Sequence, residues 1–451
     1  MHDEAGSPHV RVHRSRARWF VFAGSAALWL CAYVYLSMGA VPRAFSDTDL
    51  MRNIAAKPLR FPDLLFESKP FLYPLALRAF GDNVRLLVAV QTVVYFAAFG
   101  SWLWLASTRP RQLWAAAVLA LATVNFALYP EFAAWNHIVL SESFATSLVT
   151  LAAACLWRAL ERRRWLWLWL ATLFACTTVR DFTGYYCLAL VPLALALRGL
   201  RRLGTLSMLA TILFLGGDFY FAFYCADHTG KSPIEGRWVF EMLNNVGQRI
   251  LPDEALTQTM VAHGMPMSPA LERRRGTWAH DDDLAFYRDP ELEDFRRWLV
   301  TEGKKAYGLT LLQHPQYAVE SFWDRKEDVL QWSVYTAGFY PDAAYKKRTV
   351  VRIEHKWLHA ANVALLLWLA TLAWRRRSRA RVFLTLVCAW FYLCLWPLAF
   401  FAFHADAMEI GRHCLPIWLQ SVLALMFSAL CLAAWREPRP VDEPPAPVPA
   451  A

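Results

Sequence analysis

Apolar residues in this chain gather into long runs, and the polar residues between them alternate in kind: basic at one junction, mixed and aromatic at the next. The runs are Trp19–Val41, Val84–Ser107, Leu113–Tyr129, Ile138–Leu160, Trp165–Val179, Phe182–Leu197, Leu203–Cys225, Trp357–Trp374, Val382–Phe403 and Gly411–Trp435. About 20 apolar residues at 1.5 Å each cross a hydrocarbon core of about 30 Å, so runs of this length predict bilayer-spanning helices. The first is too long for the core of a signal peptide and reads as an uncleaved first helix. The fold class expected is an all-α polytopic membrane protein with about ten transmembrane helices, external amphipathic helices and a mainly helical extracytoplasmic segment.

The junctions orient these spans. Arg11, Arg14, Arg16 and Arg18 precede the first run, and Arg109 and Arg111 follow the second. Arg158 and Arg162–Arg164 follow the fourth, Arg198, Arg201 and Arg202 the sixth, and Arg375–Arg377, Arg379 and Arg381 the eighth. Arginine and lysine collect in cytoplasmic loops, so both termini and every even junction are expected in the cytoplasm. The chain then divides into a cytoplasmic arm (1–18), a transmembrane region (19–225) with a first external loop at 42–83, and an extracytoplasmic segment (226–356). C-terminal spans (357–435) and a Pro-rich tail (436–451) with the composition of a disordered extension complete it. The plain reading of each Arg cluster is a topology anchor. No internal repeat is visible.

Composition agrees. Of 451 residues, 57% are hydrophobic and only 19% charged, and there are 22 Trp; soluble domains carry about a quarter charged residues. The net charge of +10 is explained by the basic junctions and needs no nucleic acid. Nine Cys lie in or near apolar runs with no zinc-like spacing, which points to neither a disulfide framework nor a structural metal.

Candidate chemistry lies on the opposite, external junctions. Ser46-Asp47-Thr48-Asp49 follows the first span. Its two carboxylates suit a cation or general base chemistry, and equally suit the N-terminus of a helix over Thr48–Ala56. Glu67-Ser68-Lys69-Pro70-Phe71-Leu72-Tyr73-Pro74 offers Lys69 as a phosphate partner, or as a lysine snorkelling to headgroups, ahead of an interfacial helix over Phe71–Phe80. His137 and Glu142 stand at the outer mouth of the fourth run, where a carboxylate is costly unless it pairs or faces a wet cavity. Arg180 and Asp181 break the positive-inside pattern, either as a local ion pair or as a site. So do Arg412 and His413, in a turn that also holds His404, Asp406 and Glu409. His280-Asp281-Asp282-Asp283 reads as a solvated acidic run before it reads as a cation site. No phosphate loop, dinucleotide fingerprint, zinc-protease motif or serine nucleophile elbow is present.

In their order and shared external placement, these fragments resemble the membrane-embedded glycosyltransferases of the C superfamily. Their relatives include the protein O-mannosyltransferases and aminoarabinose lipid A transferases. The matching pieces are Ser46-Asp47-Thr48-Asp49-Leu50-Met51, Lys69-Pro70-Phe71-Leu72-Tyr73-Pro74, Ser141-Glu142-Ser143, Arg180-Asp181-Phe182-Thr183-Gly184 and Arg412-His413-Cys414-Leu415-Pro416. The chain departs in having Asp-x-Asp for adjacent acids, Asp181-Phe182 where Pro is usual, and His413 where Tyr is usual. Segment 226–356 carries no recognisable motif.

The resemblance implies an inverting enzyme that moves a sugar from a polyprenyl-phosphate carrier to an acceptor hydroxyl on a lipid, glycan or protein. It further implies a bacterial inner membrane and a periplasmic site. Asp47 is then the catalytic base, with Asp49 or Glu142 orienting it or the acceptor. Lys69, Arg180 and Arg412 receive the phosphate, and Tyr73, His137 and His413 join the substrate-binding set. No cofactor is required, and a divalent cation is compatible with Asp47 and Asp49. Two rivals share the topology: a transporter or flippase for lipid-linked saccharides, and a non-catalytic partner in envelope-polysaccharide assembly. Transporters tend to carry repeats and helices broken near the midplane; here the unusual charges sit at helix ends.

Overall fold

A computed structural model describes residues 8–44, 46–58, 60, 65–80, 83–162, 164–180, 183, 213, 215–217, 220–225, 227–229, 232–330, 353–376, 379–408 and 410–434. The protein is an all-α, multi-pass membrane protein. Among the described residues the one extended pairing is an isolated parallel bridge between Arg43 and Ile138. Six described helices are long and apolar enough to cross a bilayer, and seven if a bent pair counts as one span. The expected runs at 182–197 and 203–225 lie largely outside the described residues, as does the 436–451 tail.

The first helix, α1 (Pro8–Ser37), ends four residues before the predicted Val41. Gly39, at φ +81°, supplies the left-handed turn that stops it. α2 (Ser46–Ala56) and α3 (Leu72–Phe80) form the first loop and pack together, with Met51, Tyr73 and Leu77 in one shared core. α4 (Val84–Thr108) is a full span. α5 (Leu113–Ala127) is shorter than expected and bends by 54° into Pro130–His137. Pro130 causes the break, since it has no N–H to continue the ladder. α6 (Glu142–Glu161) follows, then α7 (Trp165–Val179), whose 15 residues fall short of a full crossing.

Beyond the described spans, α8 (Arg237–Asn245), α9 (Glu254–Ala262), α10 (Lys304–Gln313), α11 (Pro315–Asp324) and α12 (Lys326–Leu330) belong to the large polar segment. This segment has its own core, in which Leu243, Ile250, Met260, Phe286 and Leu299 are buried together. Gly247 permits its tightest approach: a Cβ there would stand 2.2 Å from the Thr277 carbonyl. The last spans are α13 (His355–Arg376), α14 (Arg379–Leu393) with α15 (Leu395–Ala405), and α16 (Leu415–Ala434).

Burial separates centre from periphery. α6 and α16 have 72% of their apolar window buried, against 17% for α1 and 28% for α13. The outer helices therefore show residues such as Phe20, Val34 and Trp374 to the surroundings, which in a bilayer are acyl chains. The two ends of the bundle differ chemically. At one, Arg18 donates to the carbonyls of Pro110 and Arg111, Arg109 pairs with Glu161, and the Arg111 N–H bonds Ala433. At the other lie Ser37, His137, Glu142 and the start of α16.

Candidate active site

Glu142 is the centre of the second end. It opens α6, is 1% exposed, and accepts from both Arg180 and Arg412. Arg412 is also buried and turns its other nitrogen to Asp47, 2.8 Å away. Asp47 in turn faces the Lys69 ammonium at 3.8 Å. The chain Lys69–Asp47–Arg412–Glu142–Arg180 thus joins residues from five elements. Its members grow more exposed toward Asp47 (30%) and Lys69 (34%), so the cluster is closed below and open on that side.

Local structure places each charge. The backbone bridge from Arg43 to the His137 carbonyl (3.0 Å) and the Val139 N–H (2.9 Å) pins the entry to α2 against the segment before α6. The buried Thr48 hydroxyl adds a bond to the Val139 carbonyl at 2.7 Å. Asp47 is thereby set beside Glu142 at the positive end of its own helix. Arg180 is the residue after α7, whose last turn is closed by Thr183: its hydroxyl donates to the carbonyls of Cys176 and Arg180. Arg412 lies in a short helix, Ile410–His413, leading into α16.

Burial pushes the Asp47 carboxyl up in proton affinity, but Lys69 and Arg412 outweigh it and hold the acid below its ordinary range. Expected as the base, Asp47 is therefore a weakened proton acceptor while both cations face it. His413 is half-buried, 3.7 Å from Asp406. Burial, then Arg180, Arg412 and Lys69, hold its imidazole well below the usual protonation range.

Three expected members stand elsewhere. Asp49 is 71% exposed and pairs with Arg52 at 3.3 Å. The helix begins at Ser46, two residues before the predicted Thr48, so both acids are helical. Residues two apart on a helix point to different faces. Asp47 and Asp49 therefore do not converge, and the joint cation site expected of them is not formed in this geometry. Tyr73 is fully buried and its hydroxyl donates to Gln91 at 2.9 Å; the Gln91 amide donates onward to the Asn136 and Ile138 carbonyls. Tyr73 braces the segment before Glu142 and does not face the open side. His137 bonds Ser37 at 3.1 Å and stacks on Tyr33, tying that segment to α1. The acidic run at 281–283 is taken up by surface pairs, Arg274 with Asp282 and Arg288 with Asp283. Asp181 and Glu409 lie outside the described residues.

Sequence reading missed how the polar segment reaches the site. Arg237, at the start of α8, donates to the carbonyls of Glu67 (2.7 Å) and Leu65 (3.1 Å), in the loop that carries Lys69. At the other end of α8, Asn245 donates to His404 and Ala405, and Arg249, one turn beyond, to Phe403 (2.6 Å), in the turn that leads to Arg412. Asn244 and Met408 fix Asp406. A single helical stretch therefore holds both walls of the cluster. Asp406 had a visible signal, an acid in the crowded last turn; Arg237 had none.

Comparison of the chain with family models, with curated proteins and with solved structures finds no match.

Proposed function

We propose that this protein transfers a sugar from a polyprenyl-phosphate carrier to an acceptor hydroxyl, in a bacterial inner membrane with the site on the periplasmic side. The observation that supports this reading is the meeting of Lys69, Arg180 and Arg412 around Asp47 and Glu142 at one mouth of the helix bundle. Cations at this end are not explained by orientation, because the basic junctions lie at the other.

The charge balance suits a phosphodiester. Three cations face two carboxylates, which leaves one positive charge in excess, and a sugar-phosphate-lipid diester carries one negative charge. An arriving phosphate takes charge-assisted hydrogen bonds from Lys69 and the two guanidiniums. Asp47 and Glu142 hold those cations apart in its absence. The carrier's tail lies along the apolar flank of the spans while the headgroup sits in the cluster. In-line attack by the acceptor oxygen inverts the anomeric carbon, and the same cations stabilise the phosphate as it leaves.

Two measurements test this. Mass spectrometry of envelope lipids and glycans, with and without the protein, should show one sugar substituent missing without it. Purified protein should then release polyprenyl phosphate from the matching donor only when acceptor is present. An unchanged envelope, with no release from polyprenyl-phosphate glucose, mannose or arabinose, would overturn the assignment.

A further inference from the structure

An acceptor hydroxyl is a weak nucleophile until a base takes its proton, and Asp47 is engaged by two cations. A second proton acceptor stands on the same cluster. His413 Nε2 lies 3.7 Å from Asp406 Oδ2, a spacing of the kind that tightens when a substrate binds. Asp406 is held from behind: its Oδ1 accepts from the Met408 N–H at 2.9 Å and from Asn244 at 3.4 Å. The carboxylate is 6% exposed and the imidazole 26%, so the ring is the more accessible member of the pair. His413 Nδ1 has no hydrogen-bond partner among the described residues.

We propose that His413 is the proton acceptor of the transfer reaction and that Asp406 positions it. The proposal rests on the transferase reading of this site and adds the identity of the base. In the step, the acceptor O–H breaks and its proton goes to His413 Nδ1. The acceptor oxygen bonds the anomeric carbon as the bond from that carbon to the phosphate oxygen breaks. The bonding pair leaves with the polyprenyl phosphate, which departs as a monoester dianion, and His413 returns its proton to water.

The surrounding charges give this base an order of events. Its proton affinity feels Lys69 from the first loop, Arg180 from the end of α7, Glu142 from α6 and Arg412 from its own turn, and Asp406 lies beside it. With no donor bound, burial first and the three cations after it keep the ring neutral and free to accept. A bound phosphate offsets those cations, and the ring becomes a stronger base when the hydroxyl arrives. Asp406 then stabilises the imidazolium, the part an acid plays behind a catalytic histidine.

The test uses the full chain in lipid nanodiscs, with the polyprenyl-phosphate sugar that the wild type turns over and imidazole as a small-molecule probe. His413→Ala should lower kcat by about 10²–10⁴-fold, the usual span for a general base, with the donor KM within about threefold. Added imidazole should restore part of the rate. Asp406→Asn should lower kcat and move the acid limb of the pH profile to lower pH, because the anion that favours the imidazolium is gone. Asp47→Asn should act mainly on donor KM. His413→Gln, with thermal unfolding followed by Trp fluorescence, decides the matter if the alanine variant does not fold. A His413→Gln rate within about threefold of wild type overturns the proposal, as does a loss without imidazole rescue in a folded His413→Ala alongside a collapse of kcat in Asp47→Asn. In both cases the transferase reading stands. A wild-type protein with no turnover overturns that reading and this proposal with it.

Discussion

Glu142→Gln is the substitution whose cost the structure fixes most closely. The carboxylate is 1% exposed, and its two partners, Arg180 and Arg412, are 13% and 8% exposed. Water cannot screen what is lost, so the figure for exposed pairs, about 0–1 kcal/mol, does not apply. Removing one partner from a buried ion pair costs about 3–5 kcal/mol, chiefly because the remaining charge is left without compensation. Arg412 keeps Asp47, at 2.8 Å, so most of that cost falls on Arg180. Against a total stability of about 5–15 kcal/mol, the loss is a fifth or more. Reversible unfolding in mixed SDS micelles, followed by Trp fluorescence, measures it directly. The double variant Glu142→Gln/Arg180→Gln removes the stranded cation and should recover roughly half of the loss. If Glu142→Gln costs under about 1 kcal/mol, or the double variant is no more stable than the single one, the carboxylate does not hold the two arginines electrostatically.

Asp49→Asn should change stability by less than about 0.5 kcal/mol and leave any transfer rate intact, because its pair with Arg52 is exposed; chemical denaturation and the donor assay check both. Arg237→Ala should speed amide exchange across residues 65–69, since two carbonyls there lose a charged donor, and hydrogen-exchange mass spectrometry reads that loop separately from the rest. The lowered proton affinity of Asp47 stabilises the fold fully above the unfolded carboxyl pKa of about 3.9 and fades as pH falls through the still lower folded value. Wild type should therefore lose more stability than Asp47→Asn between pH 5 and about pH 3 in the same micelles. An impermeant thiol reagent should label a cysteine placed at Asp282 in intact cells and spare one placed at Arg164, as the charge alternation requires.

Most of the charged cluster was visible in the sequence because of where its charges fall. Arg180 and Arg412 stand at junctions where orientation needs no arginine, and Glu142 lies just inside an apolar run. Such placements are costly without partners, so they announce that partners exist. They do not say which: the pairing of Glu142 with Arg412 spans 270 positions and depends on how α6 and α16 pack. Asp49 was misplaced by a local error, since starting α2 two residues late hid the helical geometry that separates it from Asp47. Tyr73 was misplaced by context: a tyrosine beside a lysine in a loop looks available until the Gln91 side chain is seen to occupy its hydroxyl. The grip of the polar segment on both walls was beyond reach, because hydrogen bonds from Arg237 and Arg249 to backbone carbonyls leave no residue pattern at the accepting end.

The separation of Glu142 and Arg412 along the chain has a consequence for synthesis. A ribosome makes Glu142 early and Arg412 only with the final span, so the carboxylate enters the membrane without one of its two partners. Arg180, 38 positions on, is the first to reach it. The nascent protein therefore carries a half-neutralised acid at the mouth of its most buried helices until α16 inserts. Closure of that pair waits for the arrival of Arg412. A chain stalled before α16 should be recognised and degraded by membrane quality control, while a Glu142→Gln/Arg180→Gln chain, with no charge left waiting, should survive the same stall longer in a pulse-chase measurement.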